Sequence, residues 1–497
     1  MAKQYATPGV YIEEKSAFSN SVVAVATAVP AFVGYTQKAM AGKRDLTNTP
    51  MRISSMVEFL SMFGGAPATT FSLEADGDNY SLTPDDGTNY MLFRSMQLFY
   101  ANGGGACYIV SVGDYSGGVK AAELVGTETG GGVTALLKEQ EPTMLVIPDA
   151  VLLDGGDCSS VQQAMLKHCG ADTRSRFAIL DVHSGHESRT LLDDDVVNGA
   201  RGAYGNNFLD FGASYYPWLN CTVVSADDLN YKNISNADAL VDLLNTEVDD
   251  NVSAGFVKEE KGDLIKEEIA KVTDDDADTY TVDNLIKAVS PIYNEIIGQM
   301  KTQLNVLPPS GAIAGIYAMV DSSVGVFKAP ANVSVSSVTS PTVNITAEEQ
   351  EDLNLPLNGK AVNAIRPFVG KGTLVWGART LDGNSGDWRY INVRRTMIML
   401  EQSVKFACEP YVFRPNDVNT WINVRAMISN FLRNQWQQGA LVGGSEAEAY
   451  SVECGLGSTM TPQDILDGYM KVTVKVAISR PAEFIVITFQ QKMPGGE

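Results

Sequence analysis

The chain has 497 residues, 44% of them hydrophobic and 19% charged, the balance of a globular protein with room for two to four domains. Its 59 acidic side chains outnumber 37 Lys and Arg, and a net charge of −22 argues against a general nucleic-acid binder, which needs a basic footprint. The longest apolar stretch, 21–34, is broken by Pro30 and too short to span a bilayer; with no charged-then-apolar leader, Sec export is not expected.

In chain order, Pro8-Gly9 turns the chain into a short segment where Val10 and Ile12 alternate with Tyr11 and Glu13. This is the period-two pattern of a strand with one buried face, and so short a strand needs a partner from elsewhere. A first apolar strand is expected over 22–33, helices over 54–63 and 89–101, and a strand over 106–112 after the Gly103-Gly104-Gly105 stop. The runs 143–147 and 176–182 are almost continuously apolar, as parallel strands buried on both faces are, with a helix near 161–168 between them. That alternation over 121–375 predicts an open α/β sheet. Residues 228–290, rich in Asp, Glu and Lys, read as a surface elaboration that is helical around 263–271, and 333–346 as a β-rich or linker stretch.

Over 392–408, Val393, Met397, Leu400, Val404 and Ala407 recur at helical spacing, with Arg394, Glu401 and Lys405 on another face. Asn416-Asp417 caps a second helix that carries Val418, Trp421, Ile428, Leu432 and Trp436 inward. Thr461-Pro462 opens a short helix, and two strands, 471–478 and 483–491, close the chain around Ser479-Arg480-Pro481-Ala482. Residues 376–497 hold twelve basic and twelve acidic side chains, so the first three quarters carry the whole net charge. A neutral segment suits close packing with copies of itself.

Chemistry-bearing motifs are sparse. The three histidines, His168, His183 and His186, accompany no G-x-S-x-G nucleophile motif, and Gly457-Ser458-Thr459-Met460 lies far from any of them, so no hydrolase triad is expected. Cys158, Cys169, His183 and His186 with Asp181 form one cluster of metal-ligating types. Their spacing lacks the tight cysteine pair of structural zinc sites, which makes core thiols and loop histidines the more economical reading. All six cysteines are expected to be reduced and buried. No G-x-x-x-x-G-K-[ST] occurs, Gly370-Lys371-Gly372 leads into a strand, and the Gly130–Gly132 run reads as a turn, so no nucleotide or other cofactor is expected.

Five motifs in order resemble contractile tail sheath proteins of phages and of phage-like contractile injection systems. They are Thr7-Pro8-Gly9-Val10-Tyr11-Ile12-Glu13-Glu14, Phe99-Tyr100-Ala101-Asn102-Gly103-Gly104, the stretch Gly370-Lys371-Gly372-Thr373-Leu374-Val375-Trp376-Gly377-Ala378-Arg379-Thr380, then Trp388-Arg389-Tyr390-Ile391-Asn392-Val393-Arg394-Arg395, and Arg480-Pro481-Ala482-Glu483. Residues 190–340 show little that matches, as surface insertions would.

The resemblance implies an α/β plus α+β protein. A larger, outward α/β domain of subtilisin-like topology would precede a C-terminal α+β domain that lies near an inner tube and completes its sheet with neighbours' strands. The expected division is an N-terminal β-arm over 1–24, the α/β body over 25–120 and 121–375, and a C-terminal domain over 376–497 with its own β-arm about 480–492. The implied function is structural, not enzymatic: a sheath subunit that polymerises helically around the tube in an extended metastable state and contracts to drive it through a target envelope. Strand exchange would use Val10, Tyr11, Ile12 and Glu13, with Val10 and Ile12 facing a neighbour's core, and Phe484, Ile485, Val486, Ile487 and Phe489. Residues 15–20 and 479–482 would serve as hinges.

The locally basic 389–433 stretch suggests an inner-tube contact through Arg394, Arg395, Glu401 and Lys405 on the 392–408 helix. Expected partners are other copies of the chain, an inner tube protein, baseplate and tail-terminator proteins, and sheath paralogues where a particle has them; direct nucleic-acid contact and membrane insertion are not expected. Assembly is expected in the bacterial cytoplasm, with the mature chain in a virion tail or a released particle. A static self-assembling shell or surface-layer protein is the alternative.

Overall fold

Short, almost wholly apolar segments build the centre of the molecule, because a strand covered on both faces has no polar side to offer. In the computed structural model, which describes residues 22–487 except 77–78, 129, 191, 193–194 and 275, they form one sheet of nine strands. The strands are β1 (Pro30–Gly34), β2 (Met51–Ile53), β3 (Cys107–Ser111), β4 (Met144–Val146), β5 (Phe177–Asp181), β6 (Gly212–Tyr216), β7 (Val333–Ser334), β8 (Asn363–Phe368) and β9 (Gly372–Val375). Their spatial order is β7-β9-β8-β6-β5-β4-β1-β3-β2. The six central strands run parallel, β2 and β9 run antiparallel to them, and β7 at the edge pairs antiparallel with β9.

The pleat sorts alternate residues to two helical layers. Phe32, Ile109, Val146 and Ile179 share one core with residues of the helices Leu92–Ala101 and Ser310–Ser323. Ala31, Val33, Leu145 and Leu180 share the other with the helices Gly155–Lys167 and Val196–Ala203. The first strand is thus shorter than the 22–33 expectation, and the other expected elements shift by a few residues at their ends.

Residues 228–290 are more ordered than a surface elaboration. The helices Ala237–Ser253, Glu259–Ile269, Thr279–Val289 and Pro291–Leu304 close a separate core with the hairpin Phe71–Asp76/Asn79–Pro84, through Phe71, Leu73, Leu240, Leu244, Ile286 and Ile296. Residues 224–304 carry eighteen acidic side chains against seven lysines, half of the net charge of the chain.

Two compact units result. Among the described residues, the larger comprises Ala26–Ile398 with 480–487, and the smaller comprises Met399–Ser479 with 22–25. The division falls within the helix Ile391–Cys408, later than the expected start of a C-terminal domain at 376. In the smaller unit Asp417 caps the helix Val418–Gln437, accepting from Thr420 N at 2.9 Å. Trp421, Ile428 and Leu432 turn inward, while Val418, expected inward, is exposed. The helix packs on an antiparallel two-stranded sheet, β10 (Tyr450–Cys454) and β11 (Val472–Val476). The expected last strand, 483–491, is not a strand over 483–487, and the rest of it lies outside the described residues.

Candidate functional site

Three of the five motifs meet at one point of the larger unit. Arg379, at 1% exposure, sends its guanidinium to Glu483: Nε donates to Oε1 at 2.9 Å and Nη2 to Oε2 at 2.6 Å. Its Nη1 donates to the carbonyls of Asn354 (2.9 Å) and Gly383 (3.4 Å). Glu483 also accepts from Asn354 Nδ2 at 3.0 Å and from the Tyr390 hydroxyl at 3.1 Å. A two-pronged guanidinium–carboxylate pair is the strong, directional form of an ion pair, and here it neutralises a cation removed from water.

The pair is itself positioned from the sheet. Asn363 on β8 accepts from Arg379 N and donates to Arg379 O, both at 2.8 Å. Gly377 allows that approach, since a Cβ there would lie 2.7 Å from Asn363 Oδ1. Burial and the Glu483 carboxylate beside it hold the Tyr390 hydroxyl above the usual phenol range.

Past this clamp the chain changes character. Phe484, Ile485, Val486 and Ile487 form no strand and are 68%, 79%, 88% and 71% exposed. Four consecutive large apolar side chains in water are costly without a later partner. Phe484 and Ile485 border a groove of about 510 Å³ with Leu355, Trp376 and Arg366. Val10, Tyr11, Ile12, Glu13 and Phe489 lie outside the described residues. In the smaller unit, among the described residues, β10 and β11 pair only with each other over their length, and Thr473, Val474 and Lys475 on β11 are exposed.

Of the four residues expected to contact a tube, the structure separates two from two. Arg395 pairs with Asp321 at 2.6 Å, donates to Thr27 O at 2.9 Å and lies 4.6 Å over the Tyr317 ring. Arg394 pairs with Asp210 at 3.3 Å and stacks on Phe211 and Trp388 at 3.7 and 4.5 Å. Both are buried, so neither offers its charge to solvent in the subunit: aromatic faces with the half-buried Asp210 claim Arg394, and the Asp321 carboxylate claims Arg395. Glu401 and Lys405 are exposed. Asn102 of the second motif is a joint as well, donating to Leu98 O at 2.8 Å and Ser336 O at 3.2 Å.

The strand order reverses beside β1 and β4, the crevice where open α/β sheets usually admit a ligand. Here Asp149, wholly buried, fills it. Its Oδ2 accepts from Tyr35 N at 2.9 Å, and its Oδ1 from Met91 N at 2.6 Å and Leu92 N at 3.1 Å. The carboxylate sits at the N-terminus of the helix Leu92–Ala101, where an anion would otherwise be drawn. Asp181 does the same for the helix Ser310–Ser323, accepting from Ser310 N at 2.8 Å. Burial pushes Asp149 up to about 6 and Asp181 up to about 7.

The metal-type residues serve separate ends. Burial raises the Cys158 and Cys169 thiols to about 12. His183 faces Leu153 O at 2.9 Å, and His186 packs on Trp218 with ring centroids 5.0 Å apart. Among the described residues no three His, Cys, Asp or Glu side chains are grouped to hold an ion.

Arg379, Tyr390 and Glu483 lie inside the quoted motifs, but Asn354, Asn363 and Gly383 do not, and nothing in the spacing links Arg379 to Glu483, 104 residues on.

Comparison with known proteins agrees with this architecture. Residues 384–492 match the family described as the phage tail sheath C-terminal domain. A stretch of 141 residues is 28% identical to the tail sheath protein of Burkholderia phage BcepMu; the match spans 27% of this chain and 29% of that relative's length. Solved structures resemble nearly the whole chain. A chain of the anti-feeding prophage baseplate, 28% identical, superposes with a TM-score of 0.61 over 99% of this chain and 100% of its own. The sheath complex of the PVC extracellular contractile injection system, in its contracted state, is 29% identical with a TM-score of 0.60 over 99% of each chain. The contracted helical sheath of the anti-feeding prophage is 28% identical with a TM-score of 0.61 over 98% of this chain and 100% of its own. Residues 384–492 thus carry the match to the phage tail sheath C-terminal domain, and over nearly its whole length the chain is similar to contractile sheath proteins.

Proposed function

We infer that the chain is the repeating structural subunit of a contractile sheath. It polymerises helically around an inner tube in an extended, metastable form and shortens to drive the tube through a target envelope. The observation that carries this is the strip Phe484–Ile487, apolar, exposed and, among the described residues, without strand partners, in a chain whose smaller unit holds a two-stranded sheet among those residues. A two-stranded sheet is marginal alone, and an edge that accepts a strand gains backbone hydrogen bonds as well as apolar burial. Four such bonds at ~0.5–1.5 kcal/mol each give several kcal/mol per junction. A head-to-tail contact of this kind does not close on itself, so it propagates as a helix.

The same reading assigns residues 10–13 as the second donated strand, with Val10 and Ile12 toward a neighbour's core. It keeps the domain plan of two terminal arms, an α/β body and a C-terminal domain, with the start of the last moved to 399. The mostly parallel sheet between two helical layers supports the subtilisin-like topology of the body. Glu401 and Lys405 remain the proposed tube-facing charges. Baseplate and tube proteins are the proposed partners beyond the chain's own copies, and assembly is placed in the cytoplasm before release.

No chemical step enters this function, and the family is one of structural proteins. Work comes from conformational energy stored during assembly. A static shell is not favoured, because relatives of nearly full coverage form sheaths described in a contracted state. Electron microscopy of purified particles tests the reading: two tubular lengths and widths are expected, and a single fixed lattice would exclude contraction.

A further inference from the structure

The two ends of the described chain belong to different units. At the start of the described chain, Val25 N donates to Ser403 Oγ at 3.0 Å, both in the smaller unit. At the other end the chain leaves the smaller unit after Ser479, whose N–H bonds Ala440 O at 3.0 Å, and is held at once by the larger. Arg480 Nη1 donates to Gly386 O at 2.8 Å, and Glu483 closes on Arg379.

Resting on the strand-exchange reading, we propose that the Arg379–Glu483 pair is the fixed root of the C-terminal arm, closed in both the extended and the contracted sheath. Bending is then confined to the residues after Glu483, and a pull on the donated strand is borne by the larger unit. The physical reason is the buried cation. Opening the pair would strand the Arg379 guanidinium away from water with two carbonyls and no counter-charge, which is a heavy penalty beside the gain from one strand junction. The joint therefore has one favourable state. Glu483 acts as a positioning residue: through Arg379 it fixes where and in which direction residues 484–487 leave. This revises the expectation that 479–482 hinge, since Arg480 and Glu483 pin both sides of Pro481-Ala482.

Particles built from the unchanged chain, from E483A, from E483Q and from a chain ending at Glu483 separate the two ideas. The shortened chain is expected to fold and to fail to polymerise; sheaths of normal length from it would sink strand exchange itself. E483A keeps the whole strand and is expected to polymerise to unchanged length. After contraction is triggered with guanidinium below its unfolding range, however, E483A sheaths should stall at intermediate lengths several-fold more often than the unchanged sheath. E483Q, which retains one acceptor for Arg379, should stall less than E483A. Complete contraction of E483A sheaths at the unchanged rate would overturn the proposal. Should E483A fail to fold, E483Q decides alone: full contraction overturns the fixed root, and stalling supports it.

Discussion

The guanidinium of Arg176 lies 2.5 Å from His168 Nε2, and its other bonds go to the carbonyl oxygens of Pro142, Leu136 and Glu139. A buried cation is thus held by neutral acceptors alone, at the point where a short helical turn, a strand entry and the end of the helix Gly155–Lys167 converge. The arrangement requires a neutral imidazole, and burial with the adjacent guanidinium lowers the His168 pKa to about 3. Replacing Arg176 by Ala leaves three carbonyls and a ring nitrogen unsatisfied. Unfolding free energy of the isolated subunit is expected to fall by about 3 kcal/mol, measured by urea titration. Arg176→Lys should not restore it, because one ammonium cannot reach acceptors arranged around a planar fork.

Buried carboxylates set an unusual pH dependence. Asp149 and Asp181 have folded pKa values of about 6 and about 7, raised by burial above their unfolded values. Between about pH 7 and about pH 4 the folded state holds more protons than the unfolded one. Their contribution to stability is full below that window and is lost as pH rises through the folded values. His168 acts in the opposite sense: lowered to about 3, it takes stability away as pH falls below its unfolded value. Asp181→Asn should therefore make stability fall more steeply on acidification, because the opposing carboxylate gain is gone. Denaturant melts at a series of pH values read this directly, and an unchanged slope would count against a protonating Asp181.

The exposed strip separates folding from assembly. Phe484→Asp with Val486→Asp places charges where side chains are already in water, so the melting temperature of the subunit should stay within a degree or two. Sheath formation should be lost, since a charge on the donated face would be buried without a partner. Normal sheaths from this variant, counted by electron microscopy, would contradict strand donation by these residues.

Charge reversal along the helix Ile391–Cys408 should have two distinct outcomes. Lys405 is exposed, and Lys405→Glu is expected to leave folding intact while weakening tube attachment in co-sedimentation, more so at low salt. Arg395→Glu sets two carboxylates against each other beside Asp321 in a buried site and is expected to cost more than 3 kcal/mol of stability.

A fifth change probes the clamp from behind. In Gly377→Ala the added Cβ meets Asn363, which holds both backbone groups of Arg379. A loss of roughly 1–3 kcal/mol in the larger unit is expected from this overpacking, together with faster protease cleavage at Arg480.

The parallel strands were legible because burial on both faces writes itself as an unbroken apolar run, as in Met144-Leu145-Val146. Helix positions followed from spacing and caps, Asp417 among them. The core of 228–290 was not legible. Its apolar residues are thinly spread among charges and find their partners in the hairpin around Phe71 and Leu82, far back along the chain. The burial of Arg394 and Arg395 was missed for a related reason: Asp210 and Asp321 sit on other elements, and a basic side chain at helical spacing looks the same whether it faces water or a carboxylate. The helices Leu92–Ala101 and Ser310–Ser323 likewise lack local side-chain caps, because Asp149 and Asp181 cap them from strand ends across the sheet.

Asp149 carries one more implication. The negative charge that a helix N-terminus draws from solution is here supplied by the protein, from within, at pH values above about 6. Free phosphate, nucleotides and other small anions of the cell find that place taken. At this crevice, then, phosphate and nucleotides have no hold on the subunit, and adding either should leave its melting temperature unchanged.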